Sequence, residues 1–172
     1  AMARGERIAA FCLTEANAGS DAGGAETNAV RDGNDYVING TKIFVTNGGV
    51  CGTALIFAVT DPQNPERSAG VFIVERDNPG FTVGEIEDLC GMRANPVSSL
   101  FLEECRVPET NLLGRPGDGI KIGLATLDSY IEMVSERSGK ILGDALGSVL
   151  KKIPGAEKVA AMKAAIVSRW FA

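Results

Sequence analysis

The chain has 172 residues, 45% of them hydrophobic, a net charge of −5 and no histidine. That length suits one compact domain with or without an appendage, and the apolar fraction excludes a disordered chain. Without histidine, Ser-His-Asp and Cys-His catalysis within the chain is excluded. The four cysteines (Cys12, Cys51, Cys90 and Cys105) contain no C-x-x-C pair, so a structural metal site is not expected and reduced thiols are. Residues 1–117 hold nine basic against sixteen acidic side chains, a net of −7, whereas 118–172 carry +2. An acidic first part argues against a nucleic-acid groove. No apolar run reaches the roughly 20 residues of a membrane span. The start, Ala1-Met2-Ala3-Arg4, lacks the apolar stretch of a signal peptide and reads as that of a processed or excised piece.

Short β-rich runs follow one another up to about residue 107: Ile8–Thr14, Thr27–Arg31, Tyr36–Ile38, Thr41–Thr46, Ala54–Thr60, Gly70–Glu75, Phe81–Val83 and Ser99–Val107. Turn residues punctuate them at Asp32-Gly33-Asn34, Asn39-Gly40, Asn47-Gly48-Gly49, Asp61–Pro65 and Asn78-Pro79-Gly80. Asn39-Gly40, between two alternating runs, predicts a hairpin with a type I′ turn, which needs positive φ at both positions. Together these runs predict a mainly β domain over 1–117, an antiparallel β-sandwich or barrel of about eight short strands.

The period changes after Gly114–Gly119. Ile120, Leu124, Leu127, Ile131 and Val134 recur every three or four residues, as do Leu142, Leu146, Val149 and Ile153. This predicts an amphipathic helix from about Gly119 to Lys152. Gly139, Gly143 and Gly147 fall on one of its faces and predict a break or a close helix contact. Pro154-Gly155 ends it, and Val159, Met162, Ile166 and Trp170 mark a second amphipathic stretch. The fold expected is thus the β domain followed by one or two C-terminal helices in 118–172.

Two stretches stand out chemically. In Phe11-Cys12-Leu13-Thr14-Glu15-Ala16-Asn17-Ala18-Gly19-Ser20-Asp21, alternation sets Phe11 and Leu13 on one face, and a loop of small residues follows. Such a loop leaves backbone N–H groups open to an anion or a flat polar ligand. Alone, it reads as a strand ending in a turn. In Thr41-Lys42-Ile43-Phe44-Val45-Thr46-Asn47, alternation pairs Phe44 with Thr46, an aromatic with a hydroxyl. That pairing suits a flat heteroaromatic ligand, the ring covering its face and the hydroxyl bonding its edge. Taken singly, Phe44 reads as core and Thr46 as an ordinary β-former.

In order and spacing these stretches resemble the acyl-CoA dehydrogenase family. The resemblance rests on Leu13-Thr14-Glu15-x-x-Ala18-Gly19-Ser20-Asp21 and Tyr36-Val37-Ile38-Asn39-Gly40-Thr41-Lys42-Ile43-Phe44-Val45-Thr46-Asn47. It continues through Gly70–Glu75, Pro79-Gly80-Phe81, Gly91-Met92-Arg93, Val107–Gly114 and Gly117-x-Gly119-x-Lys121, covering about residues 5–128. It implies a β-domain that lies between two helical domains, with FAD at the junction. Phe11, Leu13, Thr14, Gly19 and Ser20 would contact the flavin, and Phe44, Val45 and Thr46 would cover and hydrogen-bond its ring system. Ser20 and Asp128 would approach the acyl-CoA substrate. The implied reaction is α,β-dehydrogenation of an acyl-CoA thioester, with electrons passed to an electron-transfer flavoprotein. The implied setting is the cytoplasm or the mitochondrial matrix.

Departures from the family pattern are also visible. Phe44 stands where tryptophan is frequent, and Ala16 where proline is. No flanking helical domain is recognisable, and after about Met133 the sequence no longer resembles the family. A catalytic base is not identifiable: Tyr130 occupies a position where some members carry it, and Glu132 and Glu136 read as a solvated helix face. The expectation is a chain supplying half of a flavin and acyl-CoA site, inactive alone, acting as a homo-oligomer or with a helical partner chain. The alternative is a catalytically incompetent fragment or interaction module that self-associates through its C-terminal helices.

Overall fold

A computed structural model describes residues 4–61, 63–64 and 68–128. The predicted elements beyond 128, including the Gly139-Gly143-Gly147 face and the Val159–Trp170 stretch, lie outside the described residues. The chain divides into two compact units, Ala1–Leu124 and Ala125–Ala172.

Among the described residues the first unit holds eight strands: β1 (Ala9–Cys12), β2 (Asn28–Asp32), β3 (Asp35–Thr46), β4 (Thr53–Val59), β5 (Ala69–Glu75), β6 (Phe81–Ile86), β7 (Val97–Pro108) and β8 (Leu112–Leu113). They make one sheet in the order β6-β7-β3-β2-β4-β5-β8, with β1 added beside β4. Val83 of β6 and Leu112 of β8 pack against the same buried cluster, which holds Ile38, Val45, Ile56, Phe72, Leu100 and Leu102. The sheet therefore wraps one core without its two ends pairing. The mainly β, eight-strand expectation is met. The pairing is mixed rather than wholly antiparallel, because β1 runs parallel to β4 from Ala9↔Thr53 to Cys12↔Ile56, and β2 meets β4 in parallel at Asn28↔Val59. Those contacts join segments far apart in sequence, which local turn residues do not announce.

One expectation is overturned. Asn39-Gly40 is not a hairpin turn; β3 continues through it, and the hairpin lies at Gly33-Asn34, where Asp32 pairs with Asp35 and Gly33 has φ 63. Gly40 is needed for another reason. A Cβ built there would lie 2.7 Å from Thr27 Cα on the neighbouring strand's approach, so only glycine fits.

Residues 119–128 are helical, as the period predicted. Its start is closed by Asp118, whose carboxylate accepts the Arg115 N–H at 3.1 Å while its carbonyl accepts the Ile122 N–H at 2.9 Å. Gly119 and Gly123 let the helix lie close on β5 and β4: a Cβ would meet Ala69 O at 2.5 Å and the Phe57 ring at 3.0 Å. Among the described residues no helix is long and apolar enough to cross a membrane.

Candidate functional site

The chain leaves β1 after Cys12 and makes a closed turn, with the Glu15 N–H donating to Ala18 O at 3.0 Å and the Ala18 N–H to Glu15 O at 3.2 Å. Ala18 is buried and anchors the turn, whereas Gly19 and Ser20 are exposed. Asp21 then caps the short 3-10 turn Ala22–Gly24 by accepting the Gly23 N–H. Thr14 is half-buried, and its carbonyl accepts the Ile43 N–H at 3.0 Å. That bond ties the loop to the second half of β3.

There the ladder with β7 slips. Lys42 pairs with Leu100 and Val45 with Ser98, so Ile43 and Phe44 oppose Ser99 alone. This bulge places Phe44 at φ 52 with its ring 64% exposed. A non-glycine residue in the left-handed region at a bulge is an energetic cost that re-aims a side chain. Thr46 is exposed too, while the Val45 side chain is 2% exposed in the core. Any ligand contact by Val45 is left to its backbone. Phe11 and Leu13 do share a face: the Phe11 ring lies 4.8 Å from that of Phe57, and Leu13 lines a crevice with Phe57, Ala22 and Ile120. Asp128 is exposed on the helix and belongs to the second unit.

The arrangement carries its chemistry on an open wall. A concavity of about 360 Å³ lies under the turn, lined by Glu15, Asn17, Glu26, Thr27, Asn39 and Gly40 among others, and includes none of Thr14, Ser20, Phe44 or Thr46. An exposed aromatic face beside hydroxyls and a small-residue loop fits a broad, flat, polar-edged group such as a flavin. It does not fit a metal: no cluster of metal-ligating side chains occurs among the described residues. Nor do the buried thiols offer a nucleophile, since burial pushes Cys12 up to about 12 and Cys105 up to about 11.

The model of the acyl-CoA dehydrogenase middle domain matches residues 10–105. The chain belongs to the acyl-CoA dehydrogenase family. It is 46% identical over 127 residues to a short-chain specific acyl-CoA dehydrogenase of Clostridium acetobutylicum, covering 74% of this chain and 34% of that protein. Its fold matches butyryl-CoA dehydrogenase from Megasphaera elsdenii with a TM-score of 0.70 and 42% identity, over 72% of this chain and 33% of the other. It also matches a glutaryl-CoA dehydrogenase from Mycobacterium smegmatis in complex with FADH2, with a TM-score of 0.62 and 38% identity, over 67% and 29% of the two chains. The chain thus spans about a third of the length of the relatives it matches.

Sequence reasoning missed the most buried charges of this family domain. Lys42 has no exposed side-chain surface and Glu15 only 7%, and they form an ion pair at 2.6 Å. Burial works to raise the Glu15 carboxyl, but bonds from Lys42, Thr27 and the Glu26 N–H outweigh it and hold it below the usual range. Burial pushes the Lys42 ammonium down, against the pull of Glu15. Strict alternation along β3 puts Lys42 on the buried face with Tyr36 and Ile38; the bulge that follows it turns Phe44 out of that face and brings Val45 into it. The available signal was a lysine inside an apolar strand, which demands a buried partner.

Proposed function

We propose that this chain supplies the β-domain wall of a FAD and acyl-CoA site in an enzyme that dehydrogenates acyl-CoA thioesters between the α and β carbons. The observation that carries the reading is the bulge that turns Phe44 outward next to the loop holding Thr14. Phe44 covers one face of the flavin, and Thr14 and Thr46 bond its polar edge. Phe11, Leu13, Gly19 and the Val45 backbone complete the wall. Ser20, on the exposed loop, reaches both flavin and thioester. When bound, FAD supplies the hydride acceptor, and a carboxylate base takes the α-proton; an electron-transfer flavoprotein accepts the electrons.

Within 4–128 the residues bind and orient rather than transfer protons, and the carboxylate base lies outside the described residues. A single wall buries little of the cofactor, so the isolated chain binds FAD weakly and turns over no substrate. Titration of the 172-residue chain with FAD, followed by flavin absorbance between 350 and 500 nm and by calorimetry, tests this. Binding weaker than about 1 μM, reduced about tenfold by Phe44→Ala, is expected from the loss of one aromatic contact worth about 1.5 kcal/mol. Sub-micromolar binding, or binding indifferent to Phe44, would sink the one-wall reading.

A further inference from the structure

The two halves of the proposed wall come from separate segments, the 13–21 loop and the end of β3, and something must fix their spacing. Lys42 does so chemically. Its ammonium donates to Leu13 O at 3.2 Å and to Glu15 Oε1 at 2.6 Å, gripping the residues on both sides of Thr14. The next residue, Ile43, donates its N–H to the Thr14 carbonyl itself at 3.0 Å. Glu15 in turn accepts the Glu26 N–H at 2.7 Å and the Thr27 N–H at 3.2 Å, which ties the loop to the start of β2. One ammonium and one carboxylate therefore join three segments. The strand that bears the ammonium is also the one whose bulge presents Phe44 two residues later.

We infer that the buried Glu15–Lys42 pair is a positioning device for flavin binding, setting the Thr14 loop at a fixed distance from Phe44 and Thr46. This rests on the flavin reading above. Neither side chain touches the ligand; both act through Thr14 and through the bulge. The pair's burial is otherwise hard to account for, since two apolar side chains of similar volume would fill the same space with no desolvation cost. Such a replacement would also abandon the directed bonds to Leu13 O, Glu26 N and Thr27 N, which specify one loop conformation.

The test compares the full chain with Lys42→Met and with the double variant Glu15→Gln/Lys42→Met, which leaves no buried charge. Amide hydrogen exchange is measured without FAD, and FAD affinity and the visible circular dichroism of added FAD are measured separately. The expected result is exchange at least tenfold faster at Ile43 and Glu26 in both variants, with Phe57 and Val71 in the β4–β5 ladder unchanged. FAD affinity should fall about tenfold, with an altered flavin dichroism, even in the double variant. An unchanged Ile43 amide, or a double variant that regains both stability and wild-type FAD binding, overturns the inference. So does loss of protection across β4 and β5, which would make the pair a support of the whole fold. If the unmodified chain takes up no FAD, the flavin reading falls, and the exchange data still decide whether the pair sets the loop.

Discussion

Strand β3 is bent against β7 at two places, Asn39 and Phe44, and the two bends are built differently. At the first, Ile38 pairs with Cys105 and Gly40 with Leu102, so the extra residue is on β7 and Glu104 takes φ 48. Asn39 repairs the gap with its own side chain, accepting the Glu104 N–H at 2.8 Å and donating to Glu104 Oε1 at 3.1 Å. At the second, the extra residue is on β3 itself; the strained residue is an aromatic aimed outward, and a buried ion pair is anchored two residues before it. The first bend is closed on itself and shapes the sheet. The second leaves an apolar ring in water and, two residues earlier, a costly buried charge, which a domain built only for stability has no reason to keep.

The largest effect that separates them is expected from Gly40→Ala. The new methyl would meet the Thr27 backbone at 2.7 Å at a φ of 152, combining a clash with a conformation side chains rarely adopt. Overpacking and backbone strain together put the loss at about 3 kcal/mol or more. Urea unfolding should show it, and FAD affinity of the remaining folded protein should change little. A fall in flavin affinity with no loss of stability would erase the distinction between the two bends.

Much of the layout was legible in the sequence, because strand length and alternation are local properties. β4 and β5 were read almost residue for residue from their apolar runs. The resemblance to the family pointed to Thr14, Ser20, Phe44 and Thr46 before any geometry was known. What failed to show was register. Asn-Gly is the strongest hairpin signal because it tolerates positive φ, yet here Asn39 serves as a hydrogen-bonding bracket and Gly40 as an absence of bulk. The same residues satisfy two different demands, and only the position of β2 and β7 decides between them. The outward turn of Phe44 was hidden for a related reason: alternation continued from Tyr36, Ile38 and Lys42 would bury it, and one inserted residue reverses every facing beyond that point.

Acid titration probes the second bend with a smaller effect. The folded Glu15 carboxyl is held below its ordinary value, so on acidification the unfolded chain, near 4.3, takes up its proton first. The stability Glu15 contributes is therefore full above that value and lost as pH falls through the folded pKa. One hydrogen-bonded charged group is worth about 1.5–3 kcal/mol. Unfolding free energies measured from pH 7 down to pH 3 should decline less steeply in Glu15→Gln than in the unmodified chain. Parallel acid limbs would show that the pair is not formed as described.

The smallest stability change, and the most telling, is expected from Phe44→Gly. The ring is mostly in water, so removing it gives up little burial, while glycine relieves a φ of 52 that costs a side chain about 1 kcal/mol. The greater freedom of glycine in the unfolded chain offsets part of that gain. Unfolding stability should thus stay level or rise by up to about 1 kcal/mol. Flavin affinity should drop about tenfold, since the face-covering ring is gone. A substitution that leaves the fold as stable as before and weakens only the ligand is the mark of a residue held out for binding. If Phe44→Gly instead destabilised the protein by several kcal/mol, the ring would belong to the core's support, and the two bends would differ only in which strand carries the extra residue.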